Sequence, residues 1–245
     1  MAAEIENQHI AARLTEEGAA ASPRSAACAA TGKADAARIA AKRVARALRR
    51  GEVAVFPTDT VAGVGVSIGA ADAPTALFEL KHRSPDKPIA WLVGSSSALD
   101  VYGVAVPGYA RRMALAWWPG PITLIVHASA AVPSAYRSAG KTIGLRMPDC
   151  PETLDLIERV GCPIATTSAN FAGQPAPQSV AQVDPAFASA VAAVLPDGQS
   201  PESGLASTIV DCTAPEPRIV REGAITAKDI AQLLQETDQP PGSVR

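Results

Sequence analysis

The chain has 245 residues, 47% of them hydrophobic and 19% charged, with a formal net charge of −2. That is enough apolar material for one large core or two small ones, and it excludes a disordered or fibrous chain. Global charge does not mark a nucleic-acid binder, although a local basic groove stays compatible with it. No apolar run approaches the ~18–20 residues of a membrane span, so no membrane partner is expected. Glu4, Glu6, Glu16 and Glu17 stand near the N-terminus without an apolar core, so no secretory leader is expected either.

Residues 1–34 are rich in Ala, Ser and Glu and read as a mobile tail. Asp35 reads as an N-cap for a helix over residues 36–50, closed by Gly51. Its cations, Arg38, Lys42, Arg43, Arg46, Arg49 and Arg50, lie away from the apolar Ile39, Val44 and Leu48. Such a face is more often plain solvated surface than an RNA contact. Short apolar runs then predict strands at 53–56, 61–68, 89–93, 122–126, 142–145, 163–166, 191–195, 207–210 and 218–220. Helices are predicted over 72–80, 96–102, 107–117, 151–160 and 226–235, with a helical turn at 179–183. Pro240, Pro241 and Gly242 mark a loose end. Strands and helices interleave throughout, so a single α/β or α+β domain around one sheet is expected. Some strand pairs are too close in sequence for a helical crossover, which predicts a mixed sheet. The domain scheme is a tail over 1–34, a folded domain over 35–236 and a loose tail over 237–245.

Aromatic residues are only 4% of the chain, so Ala, Val, Leu and Ile must build the core. Cys28, Cys150, Cys162 and Cys212 show no C-x-x-C spacing, which argues against a zinc knuckle or a redox pair. Buried or idle thiols in a reducing cytosol fit better. His9, His82 and His127 are scattered, and neither H-E-x-x-H nor G-x-S-x-G occurs. No metal site made of protein side chains is indicated.

Polar clusters stand at the edges of the apolar strands, where open sheets bind ligands. They are Thr58-Asp59-Thr60, then Lys81-His82-Arg83 with Lys87, then Thr166-Thr167-Ser168-Ala169-Asn170, then Ser207-Thr208 with Asp211, and Arg221 before Gly223. Lys81 and Arg83, two apart in an extended chain, could share one cleft and suit a phosphate or carboxylate. Each cluster also has a bland reading as a turn, a cap, a solvated loop or ordinary strand. Composition and spacing alone reach a cytosolic α/β enzyme that handles an anion. No P-loop is present.

The order of the pieces says more. Phe56-Pro57-Thr58-Asp59-Thr60-Val61-x-Gly63, Lys81-x-Arg83, Lys87-Pro88, Pro119-Gly120-Pro121-x-Thr123, Arg146-x-Pro148, Ser168-Ala169-Asn170, Ser207-Thr208-Ile209-Val210-Asp211 and Arg221-x-Gly223 form one fixed series. That series resembles the YrdC-like family, the TsaC-type L-threonylcarbamoyladenylate synthases, over about residues 36–225. The resemblance implies a twisted, mixed, open sheet with flanking helices and a positively charged concave cleft. It implies that L-threonine, bicarbonate or CO2, and ATP with Mg2+ are converted to threonylcarbamoyl-AMP and pyrophosphate. A partner transferase would then modify adenosine 37 of tRNA in the cytoplasm, with tRNA itself a further candidate partner.

The same resemblance assigns roles by motif position. Lys81 and Arg83 would be catalytic, with Lys81 bridging both substrates. Thr60, Lys81, Thr166 and Ser207 would meet L-threonine. Arg83, Lys87, Thr123, Ser168, Asn170 and Arg221 would meet ATP, with Asn170 bracing its loop. Arg146 would be either a further anion contact or a structural fork. The sequence also departs from the family. Ala62 stands where Tyr is usual, which is expected to reshape the threonine pocket. Ser84 replaces a common Pro, Lys87 stands where many members have Asn, and Leu92 and His127 occupy positions of threonine contacts in some longer members. These changes leave two alternatives open: a paralogue acting on another amine, and a non-catalytic RNA-binding module.

Overall fold

The computed structural model describes residues 23–71, 74–82, 89–198 and 204–235, with side chains from residue 35 onward. Contacts divide the chain between Arg38 and Ile39, and the architecture that follows is that of the second unit. Its centre is one mixed sheet. In chain order the strands are β1 (Ala54–Phe56), β2 (Gly63–Ser67), β3 (Ala90–Leu92), β4 (Gly103–Val104), β5 (Ile122–Ala128), β6 (Thr142–Arg146), β7 (Ile164–Ser168), β8 (Ala193–Val194), β9 (Thr208–Asp211) and β10 (Arg218–Arg221). Their order across the sheet is β10-β9-β5-β6-β3-β7-β2-β1-β8, with β4 paired to β5. The β3–β6, β5–β9 and β1–β8 pairs are parallel and the rest antiparallel. The expected mixed sheet is therefore present.

The helices are α1 (Pro23–Arg49), α2 (Thr75–Lys81), α3 (Ala98–Tyr102), α4 (Gly108–Trp117), α5 (Pro151–Val160), α6 (Pro185–Ser189) and α7 (Ala227–Gln235). The first corrects the sequence reading. It begins at Pro23, so Asp35 lies inside a helix and pairs with Arg38 one turn on at 3.1 Å. The segment before residue 35 is dense in Ala, the strongest helix former. Helix written in propensity alone carries no apolar period for a sequence reading to find. The rest of the expected N-terminal tail, and the C-terminal tail from residue 236, lie outside the described residues. Gly51 does close α1, with φ of +76°. Helix α6 and strand β4 were not predicted. Asp184 caps α6 by accepting from the Ala186 N–H at 2.7 Å, with Pro185 at its first position.

Side chains alternate across the sheet, and this sorts the core into two layers. On one face Val55, Val64, Trp91, Leu124, Leu145 and Val210 pack with Met113 of α4 and Ile230 of α7. On the other face Ala54, Phe56, Leu92 and Ile164 pack under Val44 and Leu48 of α1 and Leu156 of α5. This second face is only partly covered. Beyond α1 and α5 it continues as a polar cleft. Cys150 and Cys212 are buried and Cys162 is partly exposed. Burial pushes Cys212 up to about 12, so it stays protonated at neutral pH.

Candidate functional site

The cleft has a volume of about 320 Å³. It opens where β2, β7, β3, β5 and β9 bring their ends together. Three register facts build it. Gly63 pairs with Ser168 and Gly65 with Thr166 across β2 and β7. Ala90 pairs with Thr166 across β3 and β7. Ile122 pairs with Thr208 and Thr123 with Ile209 across β5 and β9. Residues two apart share a face, so Thr166 and Ser168 enter the cleft on the side that Ile164 uses for the core.

Thr60, Thr123, Arg146, Thr166, Ser168, Ser207 and Arg221 all line this cleft. Residues from distant motifs thus meet in one place. Thr60 is fully buried, so it forms the floor behind the cleft. Its hydroxyl accepts from Arg146 Nη1 at 2.8 Å and shares a bond with Thr58 Oγ1 at 3.1 Å. Thr58 in turn donates to the Val61 carbonyl at 2.7 Å and accepts from the N–H groups of Thr60 and Val61. The bland reading of this segment as a turn with local bonds is therefore also correct: the turn is what fixes the floor.

Arg146 lines the cleft and makes a fork of hydrogen bonds. It donates to Asp59 Oδ1 at 2.5 Å, to Thr60 Oγ1 and, through Nε, to the Gly120 carbonyl at 3.1 Å. These bonds tie β6 to the loops before β2 and β5. Burial pushes the guanidinium down from its ordinary range, and the adjacent Asp59 carboxylate works against that. Arg221 sits at the rim. A register shift between Ile219 and Arg221 marks a bulge in β10, a device that re-aims a side chain. Its Nε and Nη2 donate to the Ser207 carbonyl at 3.2 and 2.8 Å, and Nη2 also reaches Ser207 Oγ at 3.2 Å. Ser207 Oγ and Thr123 Oγ1 are 3.2 Å apart and share one bond. This corner keeps hydroxyl and guanidinium donors together.

Lys81 ends α2 and is buried. Its Nζ donates to the Ser168 carbonyl and to Asn170 Oδ1, and it lies 5.9 Å from the Phe187 ring centroid. Asn170 does not line the cleft. Its Nδ2 donates to the carbonyls of Phe171 and Gln174 at 3.0 and 2.7 Å, which closes the loop after β7. Arg83 and Lys87 fall outside the described residues.

Ala62 is buried in the core on the far side, while its neighbours Val61 and Gly63 line the cleft. Its methyl group packs in that core and is not part of the cleft lining. Leu92 does line the cleft, whereas His127 lies elsewhere, 3.3 Å from the Thr213 carbonyl. Thr167 belongs to a polar cluster singled out from sequence and does line the cleft; Ile209 stands out in sequence only as part of a motif, and sequence reasoning missed Ala90, Ala176 and Ala206 as lining residues. Strand alternation could have found Ala90 and Ile209. Ala176 comes from a loop, where no period exists to read.

Gly63 has no room for a side chain. A Cβ there would lie 2.8 Å from Phe56 and 3.3 Å from Thr166 Oγ1. Gly63→Ala is therefore expected to push Thr166 off its place in the cleft wall, at a stability cost of about 1–3 kcal/mol. Urea unfolding of the variant checks this.

Comparison with known proteins places the chain among relatives of one kind. The Sua5/YciO/YrdC family model, described as "Telomere recombination", matches residues 46–223. A Mus musculus protein named threonylcarbamoyl-AMP synthase is 32% identical over 194 residues, covering 77% of this chain and 68% of its own length. A Bacillus subtilis protein of the same name is 34% identical over 193 residues, 78% of this chain and 56% of the relative. The crystal structure of Pyrococcus abyssi Sua5 complexed with L-threonine is similar, with a TM-score of 0.72 and 33% identity over 82% of this chain and 57% of that one. Escherichia coli YciO is also similar, with a TM-score of 0.66 and 25% identity over 79% of this chain and 93% of its own. The chain thus spans a little over half the length of the Bacillus and Pyrococcus relatives.

Proposed function

The chain belongs to the Sua5/YciO/YrdC family, and on that premise we propose that it is an L-threonylcarbamoyladenylate synthase. The observation that carries the reading is the convergence of Thr166, Ser168, Thr123 and Ser207 with Arg221 in one cleft, drawn from motifs far apart in sequence. A relative's structure with L-threonine supports an amino acid as one ligand.

In the proposed reaction the threonine amine takes up CO2 to form a carbamate. A carbamate oxygen attacks the α-phosphorus of ATP. The bond from that phosphorus to the bridging oxygen breaks, and pyrophosphate leaves with the electron pair. The reacting groups are anions, so the site must hold them in line and offset their charge. Arg221 spends Nε and Nη2 on Ser207, which leaves Nη1 for a phosphate. Thr123 and Ser168 would join it on the ATP side, with Arg83 and Lys87. Thr166 and Ser207 would face threonine above the Thr60 floor. Lys81 would hold the Ser168-Ala169-Asn170 loop and add charge near the carbamate. No carboxylate lines the cleft among the described residues, so Mg2+ would be carried on the phosphates of ATP. The product would serve threonylcarbamoylation of adenosine 37 in tRNA through a partner transferase in the cytoplasm. No helix among the described residues is long and apolar enough to cross a membrane.

Ala62 faces the core, so the structure gives no reason to prefer another amine. Titration calorimetry tests the reading. L-threonine is expected to bind, and Ser207→Ala to weaken it at least about tenfold, the scale of a lost hydrogen bond in a partly buried site. No binding, or equal binding by the variant, overturns the assignment.

A further inference from the structure

Arg221 stands on β10, the strand at one end of the sheet order, beside β9. The strand is four residues long and three of them are exposed. So little burial cannot fix where a guanidinium points. The bulge between Ile219 and Arg221 interrupts the ladder as well. Something besides the ladder must hold the end of β10 that reaches the cleft.

Thr208 is placed to do this. It opens β9 and is fully buried, and alternation turns it away from the cleft that Ser207 lines. Its Oγ1 donates to the Ile225 carbonyl at 2.5 Å and accepts from the N–H groups of Gly223 and Ile225, each at 3.0 Å. One hydroxyl thus spends its donor and both lone pairs on the short loop that follows Arg221. The loop is seated closely. The Ala224 N–H donates to the Ala206 carbonyl at 3.0 Å, and a Cβ on Gly223 would lie 2.0 Å from that carbonyl oxygen. The backbone of Thr208 is set independently by β5: its N–H donates to the Pro121 carbonyl at 2.9 Å, and it pairs with Ile122. The hydroxyl therefore passes the placement of β5 and β9 on to the loop after Arg221.

We propose that Thr208 is a positioning residue for the ATP side of the cleft, which it serves by holding Arg221 in place; this rests on the function proposed above. Thr208 touches no substrate and acts through Arg221, whose Nε and Nη2 rest on the Ser207 carbonyl. The other end of β10 is tied more weakly. Arg218 pairs there with Asp211 at 2.8 Å, but its side chain is 73% exposed, and such pairs contribute little. The L-threonine side depends less on the hydroxyl, because Ser207 is carried by the β9 backbone and its ladder to β5.

The test titrates the full chain with ATP and Mg2+, and separately with L-threonine, by calorimetry. Thr208→Val keeps the branched shape and removes the hydroxyl. It is expected to weaken ATP at least about tenfold, the scale of a misplaced bond to a charged group, and L-threonine less than about twofold. Thr208→Ser is expected to restore ATP binding, and Arg218→Ala to leave it unchanged. Thr208→Val/Arg221→Ala is expected to bind ATP no more weakly than Arg221→Ala alone, because the hydroxyl acts through that side chain. Gly223→Ala displaces the same loop from its other side, is expected to act as Thr208→Val does, and decides the matter where Thr208→Val lacks wild-type circular dichroism. No ATP binding by the wild type overturns the proposed function and the positioning role together. ATP binding by the wild type that Thr208→Val leaves unchanged, equal losses for ATP and L-threonine, or additive losses in the double variant overturn the positioning role alone.

Discussion

Arg146→Met is expected to destabilise the protein by about 3–5 kcal/mol, a large share of the about 5–15 kcal/mol that holds a domain together. The reason is what the change leaves behind. Asp59 and Arg146 are 7% and 8% exposed in their side chains. Among the described residues Asp59 Oδ2 has no hydrogen-bond partner, and Arg146 compensates the carboxylate through Oδ1. Without Arg146 a buried charge stands alone, and the Gly120 carbonyl and Thr60 hydroxyl each lose a donor. Adding Asp59→Asn is expected to restore part of the loss, because it removes the uncompensated charge. By contrast, Arg111→Ala, which breaks an exposed pair with Asp100, is expected to cost under about 1 kcal/mol. Urea unfolding of the four proteins separates these cases. An Arg146→Met cost no larger than the Arg111→Ala cost contradicts the fork.

Lys81→Ala is expected to lower turnover roughly 10²–10³-fold while the sheet stays folded. The side chain is buried, and its Nζ reaches the Ser168 carbonyl and Asn170 Oδ1. Ser168 lines the cleft, so loss of this tie loosens a cleft wall. The change also takes a donor from Asn170 Oδ1 and one from the Ser168 carbonyl, which keeps the Asn170 N–H at 3.0 Å, at a stability cost of about 1–3 kcal/mol. Turnover measured at saturating L-threonine and ATP, beside circular dichroism, distinguishes loss of chemistry from loss of fold. Near wild-type turnover would remove Lys81 from the mechanism.

Much of the sheet was legible in the sequence because its strands are short apolar runs between turn residues. Val53-Ala54-Val55-Phe56 and Ile122 to Val126 are examples, and both are strands. The start of α1 was not legible, because an Ala-rich segment forms helix by propensity and shows no face. Strand β4 is two residues long and exists through its pairing with β5, which no local pattern records. The hydroxyls and cations of the cleft stood out as clusters at strand ends. Their convergence depends on register, since a one-residue slip of β7 would turn Thr166 and Ser168 to the other face. The inward position of Ala62 and the fork made by Arg146 belong to the same class: both follow from which way a residue points, and spacing alone left Arg146 open between two roles.

The proposed function requires one cleft to join L-threonine, a carbonate-derived carbon and ATP. Pyrophosphate release by the purified protein tests it most directly, with ATP always present and L-threonine and bicarbonate each present or omitted, and the mass of the adenylate determined. Release that needs both, with a product of threonylcarbamoyl-AMP mass, is the expected result. Release that proceeds without threonine or without bicarbonate, or none with both present, would contradict it.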